Sequence, residues 1–272
     1  MDYSKELEFA KQLASGAGKI MRRYFRSDDI GTTVKGDRTL VTLADTDINT
    51  MVIKEIKKTF PSHSVQGEEE VHYQANAPFT WVCDPVDGTQ PFAKGIPVST
   101  FSLALVNDQG RAVLGVVYDP FQNRLFEAVR NQGAMMNGVP IRVSDKQTLD
   151  GAFIEQELWI NEQEGVSFDD PKDIFNKAGA KVTNYCSAVM LGCLVGEGTF
   201  DAMIFGQSKP EDIAALSVIV EESGGRVTTL NGKDQRYDKK IYGAVVSNGY
   251  IHDQIIEVLS TINYVSKNVP TP

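Results

Sequence analysis

The sequence predicts a mixed fold, with an α+β first half and an α/β second half. Three observations support this class. Residues 4–25 carry apolar side chains at helical spacing. Four β-branched or aromatic runs between residues 79 and 130 are separated by turn sequences, and from Ala152 onward strand-like and helix-like segments alternate. We therefore expect two units packed as one body, residues 1–145 with an antiparallel sheet and residues 146–272 with the α/β pattern.

Chain breakers delimit the predicted helices. The second helix begins near Thr46 and ends before Pro61, which cannot continue it. Gly224 and Gly225 end a later helix, because glycine readily adopts the left-handed conformation that follows one. The predicted helices span residues 4–25, 46–60, 188–195, 211–223 and 252–262.

The predicted strands fall into two groups. In the first half they are FTWVC, VSTFSLALV, AVLGVVYD and RLFEAVR, and the turns NDQG, DPFQN and RNQG make them a meander. In the second half they are AFIEQ, FDAMIF, RVTTL and YGAVVSN. The stretch around FDDPKD is predicted to be a polar loop, and the tail SKNVPTP is expected to be loose.

Composition narrows the class of protein. The chain of 272 residues carries 27 basic and 36 acidic side chains, and its net charge of −9 argues against binding a nucleic-acid polymer. No run approaches the roughly 18 apolar residues of a membrane span, and the first residues lack the apolar stretch of a signal peptide. Cys83, Cys186 and Cys193 are too few for a disulfide framework and are expected to be buried thiols. These features predict a cytoplasmic protein that binds no membrane.

The stretch WVCDPVDGTQPF places Asp84 and Asp87 at the end of a predicted buried strand. Two like charges so close together are costly unless a cation neutralises them. Gly88 allows a ligand to approach the backbone, Thr89 offers a hydroxyl, and the amides of residues 88–90 would face an anion if a helix begins there. Carboxylates beside backbone amides predict a site for phosphate and magnesium. A purely structural turn is the alternative.

Three further acidic clusters fall at predicted edges of secondary structure. They are Asp45 with Asp47, the run Glu68 to Glu70, and Glu211 with Asp212. Each is also compatible with a solvated surface. An EF-hand starting at Asp45 fails, because its positions 6 and 12 are Thr50 and Ile56. The phosphate-binding P-loop, the dinucleotide glycine pattern and the nucleophile elbow do not occur.

Taken together, these motifs resemble those of the inositol monophosphatase family of magnesium-dependent, lithium-sensitive sugar and polyol phosphatases. LVTLAD resembles the family's V-T-x-x-D segment and GEEE its G-E-E element. WVCDPVDGTQPF resembles W-x-x-D-P-x-D-G-T-x-x-F, and EDIAALSVIVEESGG resembles W-D-x-A-A followed by a helix ending E-x-G-G. The elements occur in the family's order, so the resemblance covers nearly the whole chain.

The resemblance implies a layered α-β-α-β-α sandwich, commonly a homodimer, that hydrolyses a small phosphate monoester with water activated by two or three Mg²⁺ ions. The resemblance also implies that Ca²⁺ or Li⁺ would inhibit this phosphatase activity. The implied metal ligands are Glu68, Asp84, Asp87, Asp212 and the carbonyl of Val86. The implied catalytic residues are Asp45, Thr89 and Glu68, with Asp45 and Thr89 orienting and helping to deprotonate the attacking water. Substrate and phosphate contacts would come from Asp87, Gly88, Thr89, Ala188 and Asp212, and Lys35 would lie on a mobile loop.

Three positions depart from the inositol-cleaving members. Glu211 replaces a tryptophan, Gln90-Pro91 replaces Thr-Asn, and Phe205 stands where those members place a glutamate that bonds ring hydroxyls. Phe205 cannot accept a hydrogen bond, so an inositol-like polyol or sugar phosphate, fructose 1,6-bisphosphate and a nucleotide bisphosphate stay open as substrates. A non-catalytic binder of phosphorylated metabolites is a further alternative. The presence of Asp45 and Thr89 argues against it, since a binder needs no group that activates water.

Overall fold

The computed structural model describes residues 2–36, 39–158, 166–168, 170–206, 209–262 and 264–266. The helices in these ranges are α1 (Ser4–Tyr24), α2 (Leu43–Thr59), α3 (Thr89–Ala93), α4 (Lys172–Lys177), α5 (Ala188–Gly196), α6 (Pro210–Glu222) and α7 (His252–Ser260). The strands are β1 (Thr33–Val34), β2 (Leu40–Val41), β3 (Ser64–Gly67), β4 (Val71–His72), β5 (Phe79–Asp87), β6 (Thr100–Asn107), β7 (Ala112–Asp119), β8 (Arg124–Val129), β9 (Ala134–Met136), β10 (Val139–Pro140), β11 (Phe153–Glu157), β12 (Val166–Phe168), β13 (Lys181–Thr183), β14 (Ala202–Phe205), β15 (Arg226–Thr228), β16 (Ala244–Ser247) and β17 (Tyr264–Ser266).

The first sheet has eight strands in the order β10-β9-β8-β7-β6-β5-β3-β4. Strands β5 to β8 form the predicted meander, and each neighbouring pair among them is antiparallel. The structure extends this antiparallel sheet by β3, a strand that was not predicted and that runs parallel to β5. β3 contains only the four residues SVQG, which have no apolar alternation, so the sequence pattern did not reveal it.

The second sheet has five strands in the order β13-β11-β14-β16-β15. β11 pairs in parallel with β13 and β14, while β16 is antiparallel to β14 and β15. The chain passes from β13 into α5 and from β14 into α6. The amino termini of both helices therefore lie at the edge of the sheet where the parallel strands end, which is where α/β sheets bind ligands.

Three apolar clusters show how the layers stack. α1 and α2 cover one face of the eight-stranded sheet. α5 and α6 fill the space between the two sheets, and this cluster joins Val82 and Phe126 of the first half to Leu216 and Val246 of the second. α4 and α7 cover the outer face of the five-stranded sheet. The result is the predicted α-β-α-β-α sandwich.

Some elements differ from the sequence prediction at their ends. The segment predicted as a polar loop around FDDPKD holds the end of β12 and the start of α4, whereas Asp169 lies outside the described residues. Of the tail predicted to be loose, Ser266 ends β17 and residues 267–272 lie outside the described part of the chain. Of the helices that the structure describes, none is both long and apolar enough to cross a membrane.

Candidate active site

β5 continues through both aspartates of the DPVDGT segment, although the sequence analysis expected the strand to end before them. Its pairing with β6 shifts register between Asp84 and Asp87. In a regular strand, residues three apart face opposite sides of the sheet. A bulge inserts an extra residue and so turns the second side chain towards the first.

The carboxyl groups predicted to hold metal come near one another around Asp84. Burial raises the pKa of Asp84 well above its usual range, and the charges of Glu68, Asp87, Asp212 and Asp45 raise it further. These residues belong to β5, to α2, to the segment after β3 and to the start of α6. Their mutual repulsion shows that the fold brings together acids that are separated by up to 167 positions in the chain.

Asp45 lies in the first turn of α2, which begins three residues earlier than predicted. The helix starts there because the backbone N–H and the hydroxyl of Thr42 both donate to Asp45 Oδ2, at 2.8 and 2.6 Å. The other carboxylate oxygen, Oδ1, lies 3.2 Å from the hydroxyl of Thr89, which is also 3.0 Å from the carbonyl oxygen of Val86. Burial raises the pKa of Asp45 to about 6. Asp47 lies apart and accepts a hydrogen bond of 2.7 Å from the Tyr24 hydroxyl.

Asp87 connects β5 to the amino terminus of α5. Its Oδ2 accepts hydrogen bonds from the Ser187 hydroxyl at 2.6 Å and from the backbone N–H of Met190 at 3.4 Å. Burial raises the pKa of Asp87 to about 6, and these donors limit the rise because they stabilise the anion. The predicted substrate contact Ala188 is the first residue of α5 and is buried in the core.

Gly88 adopts a left-handed conformation, with φ of +72°, immediately before α3. A Cβ there would lie 3.2 Å from the carbonyl oxygen of Cys186, so a side chain at this position would be both strained and crowded. Cys186 itself has a positive φ of 57°. The prediction of three buried thiols holds for Cys83 and Cys193, while Cys186 is only half-buried.

Two lysines approach the acidic cluster. Lys35, predicted from the family resemblance, places Nζ 3.2 Å from Glu68 Oε1 and 2.5 Å from Glu69 Oε1. Lys209, which the sequence analysis missed, places Nζ 3.1 Å from the same oxygen of Glu68. The backbone N–H of Lys209 also donates to Asp212 Oδ2 at 3.2 Å, which caps α6. The signal for Lys209 was its position three residues before Asp212.

The donor set fits a divalent cation. Among the described residues, the group whose ligand atoms lie within 4.8 Å of one another comprises Asp45, Glu68 and Glu69. From the sequence, Glu69 was identified only as part of the acidic run Glu68 to Glu70. Burial also raises the pKa of Asp212 well above its usual range, and the charges of Glu211 and Glu68 add to the rise. Burial and mutual repulsion destabilise the ionised forms of these carboxyl groups, and a bound cation would relieve that cost. Carboxylate oxygens are also the ligands that Mg²⁺ and Ca²⁺ prefer.

Two positions that depart from the family pattern are both buried. Phe205 ends β14 and packs in the core between the two sheets, as an inward-facing strand residue. Glu211 is 6% exposed, and its Oε2 accepts a hydrogen bond of 3.4 Å from Gln66 Nε2. Glu211 therefore adds a further buried carboxyl group directly beside Asp212.

Comparison with known proteins settles the family. A family model described as the inositol monophosphatase family matches residues 2–264. The chain belongs to this family. It is 30% identical over 262 residues to the fructose-1,6-bisphosphatase/inositol-1-monophosphatase of Thermotoga maritima, which covers 94% of this chain and 96% of that protein. It is 34% identical over 230 residues to the Nus factor SuhB of Pasteurella multocida, which covers 83% of this chain and 85% of that protein.

Solved structures of inositol monophosphatases share this architecture. A structure of an IMPase/NADP phosphatase complexed with Mg²⁺ and phosphate superposes with a TM-score of 0.79 at 25% identity and covers 96% of this chain and 95% of that chain. The fold class and the family predicted from the sequence are thus confirmed. As an inositol monophosphatase family member, the protein is a phosphoric monoester hydrolase of a metal-dependent kind.

Proposed function

We propose that the protein is a Mg²⁺-dependent phosphatase that hydrolyses a small polyol or sugar phosphate of the inositol monophosphate kind by attack of a water molecule. The observation that carries this proposal is the contact between Asp45 and Thr89, 3.2 Å apart, beside the carboxyl groups that surround Asp84. A protein that only bound metal and phosphate would need the carboxylates but not this pair. The contact therefore favours catalysis over simple binding.

The acidic side chains would hold the metal. In our proposal the ligands are Glu68, Asp84, Asp87, Asp212 and the carbonyl oxygen of Val86, with two or three Mg²⁺ ions bound. When bound, Mg²⁺ would lower the pKa of a coordinated water molecule and would neutralise the negative charge that develops on the leaving oxygen. Such help is needed because phosphate monoesters hydrolyse so slowly that a catalyst must lower the barrier by roughly 20 kcal/mol.

The remaining roles fall to groups of the chain itself. Thr89 orients the attacking water, and Asp45 accepts its proton. With a pKa of about 6, Asp45 is ionised at neutral pH and is a stronger base than an ordinary aspartate. Gly88 provides the left-handed turn into α3, with φ of +72°, and in our proposal the backbone amides of Gly88 and Thr89 hold the phosphate group. Lys35 and Lys209 place positive charge beside Glu68, where an anionic substrate would enter.

Several finer properties belong to the same proposal. We propose a homodimer in the cytoplasm that is inhibited by Li⁺ and by Ca²⁺. The three cysteines are free, which supports a reducing compartment. Fructose 1,6-bisphosphate and a nucleotide bisphosphate are the alternative substrates. The Thermotoga maritima relative supports the first by its name, and the IMPase/NADP phosphatase supports phosphatase activity on a nucleotide.

A phosphate-release assay tests the proposal. Inositol 1-phosphate, sugar phosphates, fructose 1,6-bisphosphate and nucleotide bisphosphates are each incubated with the protein, with Mg²⁺ or after exhaustive chelation. We expect release from a polyol or sugar phosphate only with Mg²⁺, and we expect Asp87→Asn to abolish it in a folded protein. Release that survives chelation would refute the metal requirement. Bound metal with no release from any compound would instead support the non-catalytic binder.

A further inference from the structure

Lys209 links the two halves of the candidate metal site. Its side-chain Nζ lies 3.1 Å from Glu68 Oε1, and Glu68 follows β3 in the first half of the chain. Its backbone N–H donates to Asp212 Oδ2 at 3.2 Å, and Asp212 lies in the first turn of α6 in the second half. One residue thus contacts a proposed metal ligand from each half, through two different groups.

The ammonium group of Lys209 lies among several carboxylates. Burial lowers its pKa, but the surrounding negative charges outweigh burial and raise the pKa above its usual value. These charges belong to Glu68, Asp212 and Glu211. Because the side chain is 46% exposed, water screens the pair with Glu68 and keeps its strength moderate. Lys209 is therefore a constant positive charge at the edge of the acidic cluster.

This positive charge opposes the binding of a cation by the same carboxylates. Glu68 and Asp212 are both proposed Mg²⁺ ligands, so a bound ion and the ammonium group would be near neighbours of like charge. Such neighbours repel each other, and each weakens the attraction that the carboxylates offer to the other. Lys35 contacts the same oxygen of Glu68 at 3.2 Å, but a second carboxylate, that of Glu69, balances its charge.

The same positive charge favours an anion. In the proposed site a phosphate group is held by the amides of Gly88 and Thr89, which directly follow Asp87 in the chain. Burial raises the pKa of Asp212 and the charge of Asp87 adds to the rise, so these two carboxyl groups are neighbours. A positive charge at the start of α6 offsets part of their repulsion of phosphate, and it acts through space. Lys209 can keep both of its contacts while it attracts the anion.

We propose that Lys209 sets the balance between the two ligands of this site: it weakens the binding of Mg²⁺ and strengthens the binding of the phosphate group. The inference rests on the phosphatase function proposed above and gives Lys209 an electrostatic role in it. The consequence for the enzyme is a metal ion that exchanges with the solution and a substrate that is held more tightly.

Lys209→Met tests the proposal, because it removes the charge and keeps a long side chain. Calorimetry on chelated protein measures the Kd of Mg²⁺, and calorimetry in saturating Mg²⁺ measures the Kd of inorganic phosphate. We expect the Mg²⁺ Kd to fall about 3- to 10-fold and the phosphate Kd to rise by a similar factor. Partly exposed pairs of unit charges change binding up to about fivefold, and both ligands carry more than one charge.

The opposite signs of the two changes distinguish a charge effect from a loss of structure, which would weaken the binding of both ligands. Lys209→Arg keeps the charge and should keep both constants within about twofold of the wild-type values. Lys233→Met is the matched control, because Lys233 is an exposed lysine in the turn after β15, and it should change neither constant. Lys209→Gln provides a second neutral variant if Lys209→Met does not fold.

The outcomes separate this inference from the proposed function. If the wild type binds no Mg²⁺, or binds it but hydrolyses no phosphate ester, the proposed function fails and the role of Lys209 in it fails too. If the wild type is an active Mg²⁺-dependent phosphatase, tighter Mg²⁺ binding together with weaker phosphate binding in the neutral variants supports the inference. Any other pattern in that enzyme, including a change in one constant alone, overturns only the role of Lys209.

Discussion

Replacing Asp45 with asparagine is expected to stabilise the metal-free protein while removing its activity. Burial raises the pKa of this carboxyl from 3.8 to about 6. One pKa unit corresponds to about 1.4 kcal/mol, so the ionised carboxylate costs the folded state about 3 kcal/mol at pH 8. Asparagine removes the charge, but it weakens the cap with Thr42 by about 1 kcal/mol. The net gain is about 2 kcal/mol, or about 4 °C in Tm for a chain of this size.

The pH dependence of this gain follows from the sign of the pKa change. Between pH 4 and 6 the unfolded chain has released the Asp45 proton while the folded chain still holds it. The wild type therefore loses stability as pH rises through this window, and the loss is complete above pH 6. Below pH 4 the carboxyl is neutral in both states, so the variant should gain nothing there.

Thermal unfolding after exhaustive chelation measures the effect at pH 4 and at pH 8, and kcat with Mg²⁺ measures the loss of activity. We expect the rate to fall at least about 100-fold, because Asp45 acts as the general base. Asp47→Asn is the control, since its exposed side chain bonds Tyr24 outside the cluster, and it should change neither quantity. An Asp45→Asn protein that melts at or below the wild-type temperature at pH 8 would refute the reasoning.

Three further predictions concern packing, metal affinity and chelation. Gly115→Ala should cost more than about 3 kcal/mol in urea unfolding, because its Cβ would lie 2.2 Å from the Ala215 carbonyl oxygen in α6. Gly16→Ala in α1 meets only a flexible methionine and should be neutral or stabilising, so equal costs would contradict the argument. Ser187→Ala removes the 2.6 Å hydrogen bond to Asp87, so the Mg²⁺ Kd from calorimetry should rise about tenfold, and an unchanged Kd would count against this role. Mg²⁺ should raise the Tm of chelated protein at pH 8, and no rise would argue against the site.

Local patterns predicted the long elements well. The four strands from β5 to β8 each have at least six residues rich in β-branched or aromatic side chains, and the turns between them were readable. β3, β4, β9 and β10 have two to four residues each, which is too few for an alternating pattern to stand out. The parallel pairing of β3 with β5 is a choice between distant segments, which no local pattern encodes. The start of α2 was missed because its cap uses Thr42 with aspartate three residues later, instead of the usual glutamate.

The division into units at residue 145 stays a prediction, and the core helps to explain why sequence alone locates it poorly. Leu216 and Ile219 of α6 belong to the same apolar cluster as Val82 and Ala104 of the eight-stranded sheet. A helix from the second unit therefore completes the core of the first. Because the two units share this core, no change in composition is expected at the seam between them.

The candidate site separates what sequence letters can predict from what they cannot. The identity of the acids in DPVDGT was readable, and so was their need for a cation. The orientation of their side chains was not readable, because residues three apart point to opposite faces of a regular strand. The register shift between Asp84 and Asp87 turns the two side chains towards each other. Lys209 escaped notice for a related reason. Its position three residues before Asp212 was its one local signal, and its place in the site depends on a contact with a distant residue, because its Nζ lies 3.1 Å from Glu68. A family motif therefore identifies the chemistry, whereas the orientation of its side chains depends on contacts between strands that the motif does not contain.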